Sequence, residues 1–252
     1  MRRFASDEAQ HVVVIGGLEA PRRQRRPRPA DEEAKPVDVT RATVIAADPL
    51  DGEARAEAWL KQEARALVAP ALAVLNRALH ARRIAAADPY AAEVTLRHAL
   101  VTRVGYGTGE QVAEGRWREA RELPPERPRR ARESALRPQE RFAALLAGRD
   151  AAMASELLAL RARLDLEQAR DREAALQLDA ALRAALAELE GWRELDGMPE
   201  RLEELRSLLS EVALAAEEAR SGALEDTGRG VVERTLGRLE AALRARTAGA
   251  QF

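Results

Sequence analysis

The sequence contains no cysteine, which excludes thiol nucleophiles, disulfides and thiolate metal sites together. Aromatic residues make up only 3% of the 252 positions, and isoleucine occurs only at 15, 45 and 84. The 46% apolar content therefore comes mainly from alanine and leucine, which favour helix over sheet. An excess of charge is missing as well: 41 basic and 42 acidic groups leave a net charge of -1. No global field selects nucleic acid or a membrane surface. Lysine is confined to Lys35 and Lys61, so almost all positive charge is arginine, which beside so much alanine reads as a compositional bias of the coding sequence before it reads as phosphate recognition.

Long hydrophobic runs are also lacking. The longest, Ala66 to Leu75, is interrupted by Pro70 and is about half the ~20 residues a bilayer crossing needs. The run Val12 to Ile15 is too short for the core of a signal peptide. These features predict a soluble, cytoplasmic protein with no membrane insertion.

The first half mixes two periods. His11-Val-Val-Val-Ile15 followed by Gly16-Gly17 predicts a short buried strand, because consecutive β-branched residues resist helix. Ala42 to Ala46 predicts a second, joined to the first by an exposed Arg/Pro loop over 19–36. Beyond Asp51-Gly52 the apolar residues Ala56, Trp59, Leu60, Ala64, Leu67 and Val68 recur at three and four, the spacing of one helix face. Pro70 either kinks that helix or begins another. Asp88-Pro89 is a start signal for a further helix carrying Val94, Leu96, Leu100 and Val104 and ending at Gly105. The alternative for 99–104 is a third strand.

Residues 124–137 hold a Pro/Arg-rich stretch of linker composition, separating a small α+β domain (1–123) from residues 138–252. Pro138 to Leu146 predicts a short helix stopped by Gly148. Asp150 to Glu190 then contains neither proline nor glycine over 41 residues, enough for about 60 Å of helix. Leu157, Leu160 and Leu164 open a heptad there; Ala175, Leu178, Leu182, Ala185, Leu189 and Trp192 close one. The two frames are offset across the polar run 168–173, a stutter where the seam loosens. After a turn at 191–199, Met198, Leu202, Leu205, Leu209, Val212, Ala216 and Ala219 mark a second helix. A loop from Ser221 to Gly230 leads to a third carrying Val232, Leu236, Leu239 and Leu243. Extra leucines widen these faces beyond a strict coiled-coil stripe. The predicted fold is mostly α, with a small N-terminal α+β domain and a C-terminal long-helix hairpin or three-helix bundle with coiled-coil-like seams.

Chemistry-bearing motifs are sparse. Gly105, Gly107 and Gly109 could converge backbone N–H groups on a phosphate at a helix start, but they lack the Gly-Lys-Ser/Thr ending of a P-loop, and a glycine turn explains them equally well. Trp117 and Tyr106, with Arg116 and Arg118, form either a stacking surface or a packing anchor. His11, His80 and His98 have no carboxylate at metal-ligand spacing, and no serine sits in a nucleophile elbow. Arg22, Arg23, Arg25, Arg26 and Arg28 offer nonspecific nucleic-acid contacts, without interleaved aromatics. No catalytic residue, metal or cofactor is implied. The best-supported function is a non-enzymatic scaffold or adaptor that meets a protein partner, or another copy of itself, through Leu157, Leu160, Leu164, Leu202, Leu205 and Leu209. Nucleotide or phosphate binding at Gly105 to Gln111 and nucleic-acid binding at Arg22 to Arg28 are the alternatives.

Overall fold

The computed structural model describes residues 10–18, 38–124 and 137–250. The chain divides into two compact units, Met1–Glu126 and Arg127–Phe252. The Arg22 to Arg28 tract and most of the 124–137 stretch lie outside the described residues.

In the first unit, β1 (His11–Leu18) and β2 (Val39–Ala46) form an antiparallel ribbon in the register His11↔Ala46 through Leu18↔Val39. The ribbon is not buried as its valine run suggests: Val12, Ile15 and Leu18 are 47%, 51% and 41% exposed. Among the described residues this sheet has two strands, and a helix laid against them is their main support, so much of both strands stays in contact with water.

The helical period after Gly52 gives two helices, α1 (Glu53–Leu60) and α2 (Ala64–Ala85). The Glu63 carboxylate restarts the chain by accepting the Ala66 N–H at 2.7 Å, a cap that satisfies one of the orphan donors of a helix start. Pro70 therefore lies inside α2 rather than beginning it. The helix expected from Pro89 does not form. The Asp88 carboxylate instead accepts the Tyr90 N–H at 2.9 Å. Asn76, buried on α2, donates to the Val94 carbonyl at 3.0 Å and accepts from the Val94 N–H at 2.9 Å. Those two bonds hold residue 94 extended against α2, outside any helix. A single 3-10 turn follows (Leu96–His98), then β3 (Arg103–Tyr106), paired antiparallel with β4 (Glu119–Glu122). Residues 103 and 104 are thus strand. Val68, Val104 and Leu123 form the small core of this unit, with Trp59, Leu60, Leu67 and Leu96 packed on it.

The described residues of the second unit form helices joined by turns. α3 (Pro138–Leu146) carries proline in its first turn and is followed by Gly148 at φ +66°, where glycine relieves the left-handed conformation. The expected 41-residue helix is broken. α4 (Ala154–Glu167) and α5 (Asp171–Glu188) are separate, and the polar run that reads as a stutter is a chain reversal. Ala169 takes φ +55°, and Arg170 closes the turn on Asp165, its guanidinium 2.7 Å from the carboxylate and its N–H 2.8 Å from the carbonyl. At the far end of this antiparallel hairpin, Glu188 of α5 accepts from the N–H groups of Ala154 (2.9 Å) and Ser155 (3.1 Å) and from the Ser155 hydroxyl (2.6 Å), capping α4 from its neighbour. Burial opposes the charge on Glu188, but the hydrogen bonds from Ser155 and Ala154 outweigh it and hold the carboxyl below the usual range.

A 3-10 turn (Leu189–Trp192) leads to α6 (Met198–Ser207), α7 (Leu209–Ser221) and α8 (Asp226–Gly249). The third long helix starts before Gly228 and Gly230, which are helical rather than loop. α5 is central, touching α4, α6, α7 and α8, and its Ala174, Ala175, Leu178, Ala181, Leu182 and Ala185 are fully buried. The expected seam residues Met198, Leu202, Leu205, Val212, Val232, Leu236 and Leu239 join that core. Burying each leucine side chain contributes about 1.5–3 kcal/mol. The molecule is thus mostly α with a small β-containing N-terminal part.

Candidate functional site: an outward leucine face

Among the described residues, helix α4 carries three of the predicted site leucines on an exposed face. Its inner face is Ser155, Ala159, Ala162 and Leu166, all buried against the core. Its outer face carries Leu157, Leu160 and Leu164, exposed by 52%, 68% and 39%. At about 100° per residue, the three leucines fall within a sector of roughly 60°, centred nearly opposite the buried residues. The seam in this helix is therefore the alanine stripe, and the leucine heptad points away from it. Alanine repeating at three and four with Leu166 is the signal that could have identified the buried side.

The other three leucines proposed to meet a partner lie elsewhere. Leu202 and Leu205 are fully inside the core of their own unit, and Leu209 is half-buried against it; none of them forms a surface with the α4 residues. Bidentate Arg163–Glu240 contacts at 2.7 and 2.9 Å tie α4 to α8.

A second constellation, absent from the sequence reading, holds α3, α4 and α8 together. Asp150 and Arg246 have side chains only 6% and 5% exposed and pair at 2.6 and 3.2 Å. Arg141 reaches Asp150 at 3.1 Å and Glu156 at 2.6 Å, and the Arg246 guanidinium stacks 4.5 Å above the Trp192 ring. The Arg246 hydrogen bond, followed by that from Arg141, overcomes burial and holds the Asp150 carboxyl at about 2. Every charge here already has a partner of opposite sign, so the cluster acts as a latch between helices.

The glycine motif has a structural explanation. A Cβ on Gly105 would sit 2.5 Å from the Glu119 carbonyl oxygen and 2.9 Å from Trp117 Cγ, so glycine lets β4 and the indole approach. Gly107 is closed in by Val112 and the Arg118 backbone, and Gly109 (φ +78°) turns the chain into a single 3-10 turn, Glu110–Val112. One turn supplies too few aligned peptides for a useful dipole. Burial and the carboxylates of Glu119, Glu57 and Glu53 push the Tyr106 hydroxyl pKa up.

Trp117 packs as an anchor over Gly105. The nearby recess lined by Arg65, Leu96, Leu100, Glu122 and Leu123 encloses about 50 Å³, well below the roughly 300–1,000 Å³ of ligand pockets. His80 lies 3.8 Å from Glu93, and His98 accepts the Thr95 N–H. Among the described residues, no group of three or more potential ligands is arranged for a metal, and no helix is long and apolar enough to cross a membrane.

Compared with known protein families, with curated proteins and with solved structures, the chain matches none.

Proposed function

We propose that this is a cytoplasmic, non-enzymatic scaffold or adaptor protein whose helical unit docks an apolar helix of another chain onto Leu157, Leu160 and Leu164. One observation supports this above others: α4 is apolar on two opposed faces, and among the described residues only one of them is buried. Leucines spaced three and four apart form a ridge that matches the groove of another helix. Arg161 on the exposed side and Glu167 at its end offer both signs of charge for a polar rim.

The three leucines expose roughly 300 Å² of apolar surface, worth about 7 kcal/mol gross at ~25 cal/mol per Å². Association costs of about 4–15 kcal/mol consume much of that. The contact is accordingly a reversible one, completed by residues around the ridge.

The test is a pull-down with cross-linking from the native source, comparing the full chain with Leu157→Glu/Leu160→Glu. Both side chains are exposed, so the variant keeps its helical content. A helical partner captured by the parent and lost from the variant supports the reading; an identical set of captured proteins refutes it.

A further inference from the structure

We infer that the outer edge of β1 pairs antiparallel with β1 of a second copy of this chain, joining two ribbons into a four-stranded sheet. Among the described residues, β1 forms a ladder only with β2, so from Val12 to Leu18 its other edge presents N–H and C=O groups with no ladder partner. A two-stranded ribbon is marginal by itself, and a third and fourth strand stabilise it. Free edges are ordinarily protected by charge, proline or shortness. β1 has none of these: His-Val-Val-Val-Ile-Gly-Gly-Leu runs eight residues without a charged or proline residue, whereas β2 carries Arg41.

An independent observation comes from Gly16 and Gly17. Neither takes a positive φ, and a Cβ on either would meet nothing within 4 Å. Nothing in the described fold requires glycine there, and glycine inside a strand is an entropic cost. Strand glycines mark places where another backbone or side chain comes close.

A second copy supplies the matching surface. With a two-fold axis through Val14, Val12 of one copy faces Gly16 of the other, Val13 faces Ile15, and Val14 faces Val14. The exposed valine covers the bare glycine, β-branched pairs fill the centre, and no like charges oppose. The strand is self-complementary, as a two-fold interface requires.

The chain has no cysteine, so a single introduced thiol reports the pairing without background. In the full-length protein, Val14→Cys is expected to form a disulfide-linked dimer under mild oxidation. Thr40→Cys, on the distal strand, is expected to remain monomeric. Wild type should sediment at twice the chain mass at high micromolar concentration. Val12→Lys/Ile15→Lys, which alters two exposed side chains, should weaken dimerisation at least tenfold with unchanged far-ultraviolet circular dichroism. The inference is overturned by a monomeric wild type in which Val14→Cys cross-links no faster than Thr40→Cys. It is equally overturned by a dimer that survives the two lysines but is lost in Leu157→Glu/Leu160→Glu, which would assign self-association to α4.

Discussion

Replacing Asp150 by asparagine tests the latch between α3, α4 and α8. The substitution keeps the shape and removes one negative charge from between Arg246 and Arg141. Arg141 retains Glu156, but the Arg246 side chain, 5% exposed, keeps only its stacking on Trp192 as a favourable charge contact. Breaking one partner out of a buried ion pair costs about 3–5 kcal/mol. Because Arg246 stays stacked and asparagine still accepts hydrogen bonds, we expect the lower end, about 3 kcal/mol at neutral pH. The dependence on pH follows from the depressed Asp150 carboxyl. Its folded value of about 2 against an ordinary 3.8 corresponds to about 2 kcal/mol at ~1.4 kcal/mol per unit. Since the folded value is the lower one, this stabilisation is complete above the ordinary carboxylate range and is lost as pH falls from about 5 towards 2. Urea unfolding followed by Trp192 fluorescence, in a Trp59→Phe/Trp117→Phe background, measures both quantities. Parent and variant should differ by about 3 kcal/mol at pH 7, and the difference should shrink by about 2 kcal/mol as the pH falls to about 2. A difference below about 0.5 kcal/mol at pH 7, or one that stays constant down to pH 2, refutes the latch.

Two further substitutions probe the packing. Ala181 lies fully buried on central helix α5, and Ala181→Leu should destabilise the second unit by about 1–3 kcal/mol through overpacking, read as a lower urea midpoint; an unchanged midpoint would show that the alanine seam is loose. Gly105→Ala places a methyl group against the Glu119 carbonyl and Trp117, and amide exchange in β3 and β4 should accelerate at least tenfold while exchange in α5 stays unchanged. Full protection in β3 would show that the close approach is dispensable.

How much of this was open to sequence reasoning depends on how many answers a pattern allows. The rows Met198–Ala219 and Val232–Leu243 each have one apolar stripe among charges, and a single stripe has a single place to go. α4 has two stripes with the same period, and periodicity cannot choose between Leu157, Leu160, Leu164 and Ser155, Ala159, Ala162, Leu166. The choice is made in three dimensions: alanines let α5 approach closely, and Glu188 caps Ser155 from the neighbouring helix. The reversal at 168–170 contains no glycine or proline, so its only trace is the polar run; the left-handed residue is an alanine. At Asp88-Pro89 a good local start signal loses to the two hydrogen bonds from Asn76, a residue 18 positions away from Val94. The Asp150–Arg246 pair spans 96 positions, and no local pattern encodes it.

The significance of the α4 leucines rests on their angular clustering rather than on exposure alone. Leu214 on α7 is 73% exposed, yet it stands singly, and isolated surface leucines need no explanation. Leu157, Leu160 and Leu164 instead share one narrow sector over two turns, on a helix whose opposite side already supplies all of its contact with the core. Removing them costs the bundle little, since surface changes away from packed features stay within about 0.5 kcal/mol. A lipid surface is a poor match, because an interfacial helix carries a basic polar face, while Arg161 here is accompanied by Glu167 and Asp165. The complementary face of another helix suits an apolar ridge with both signs of charge near it, which is why the proposed partner is a helix rather than a lipid surface.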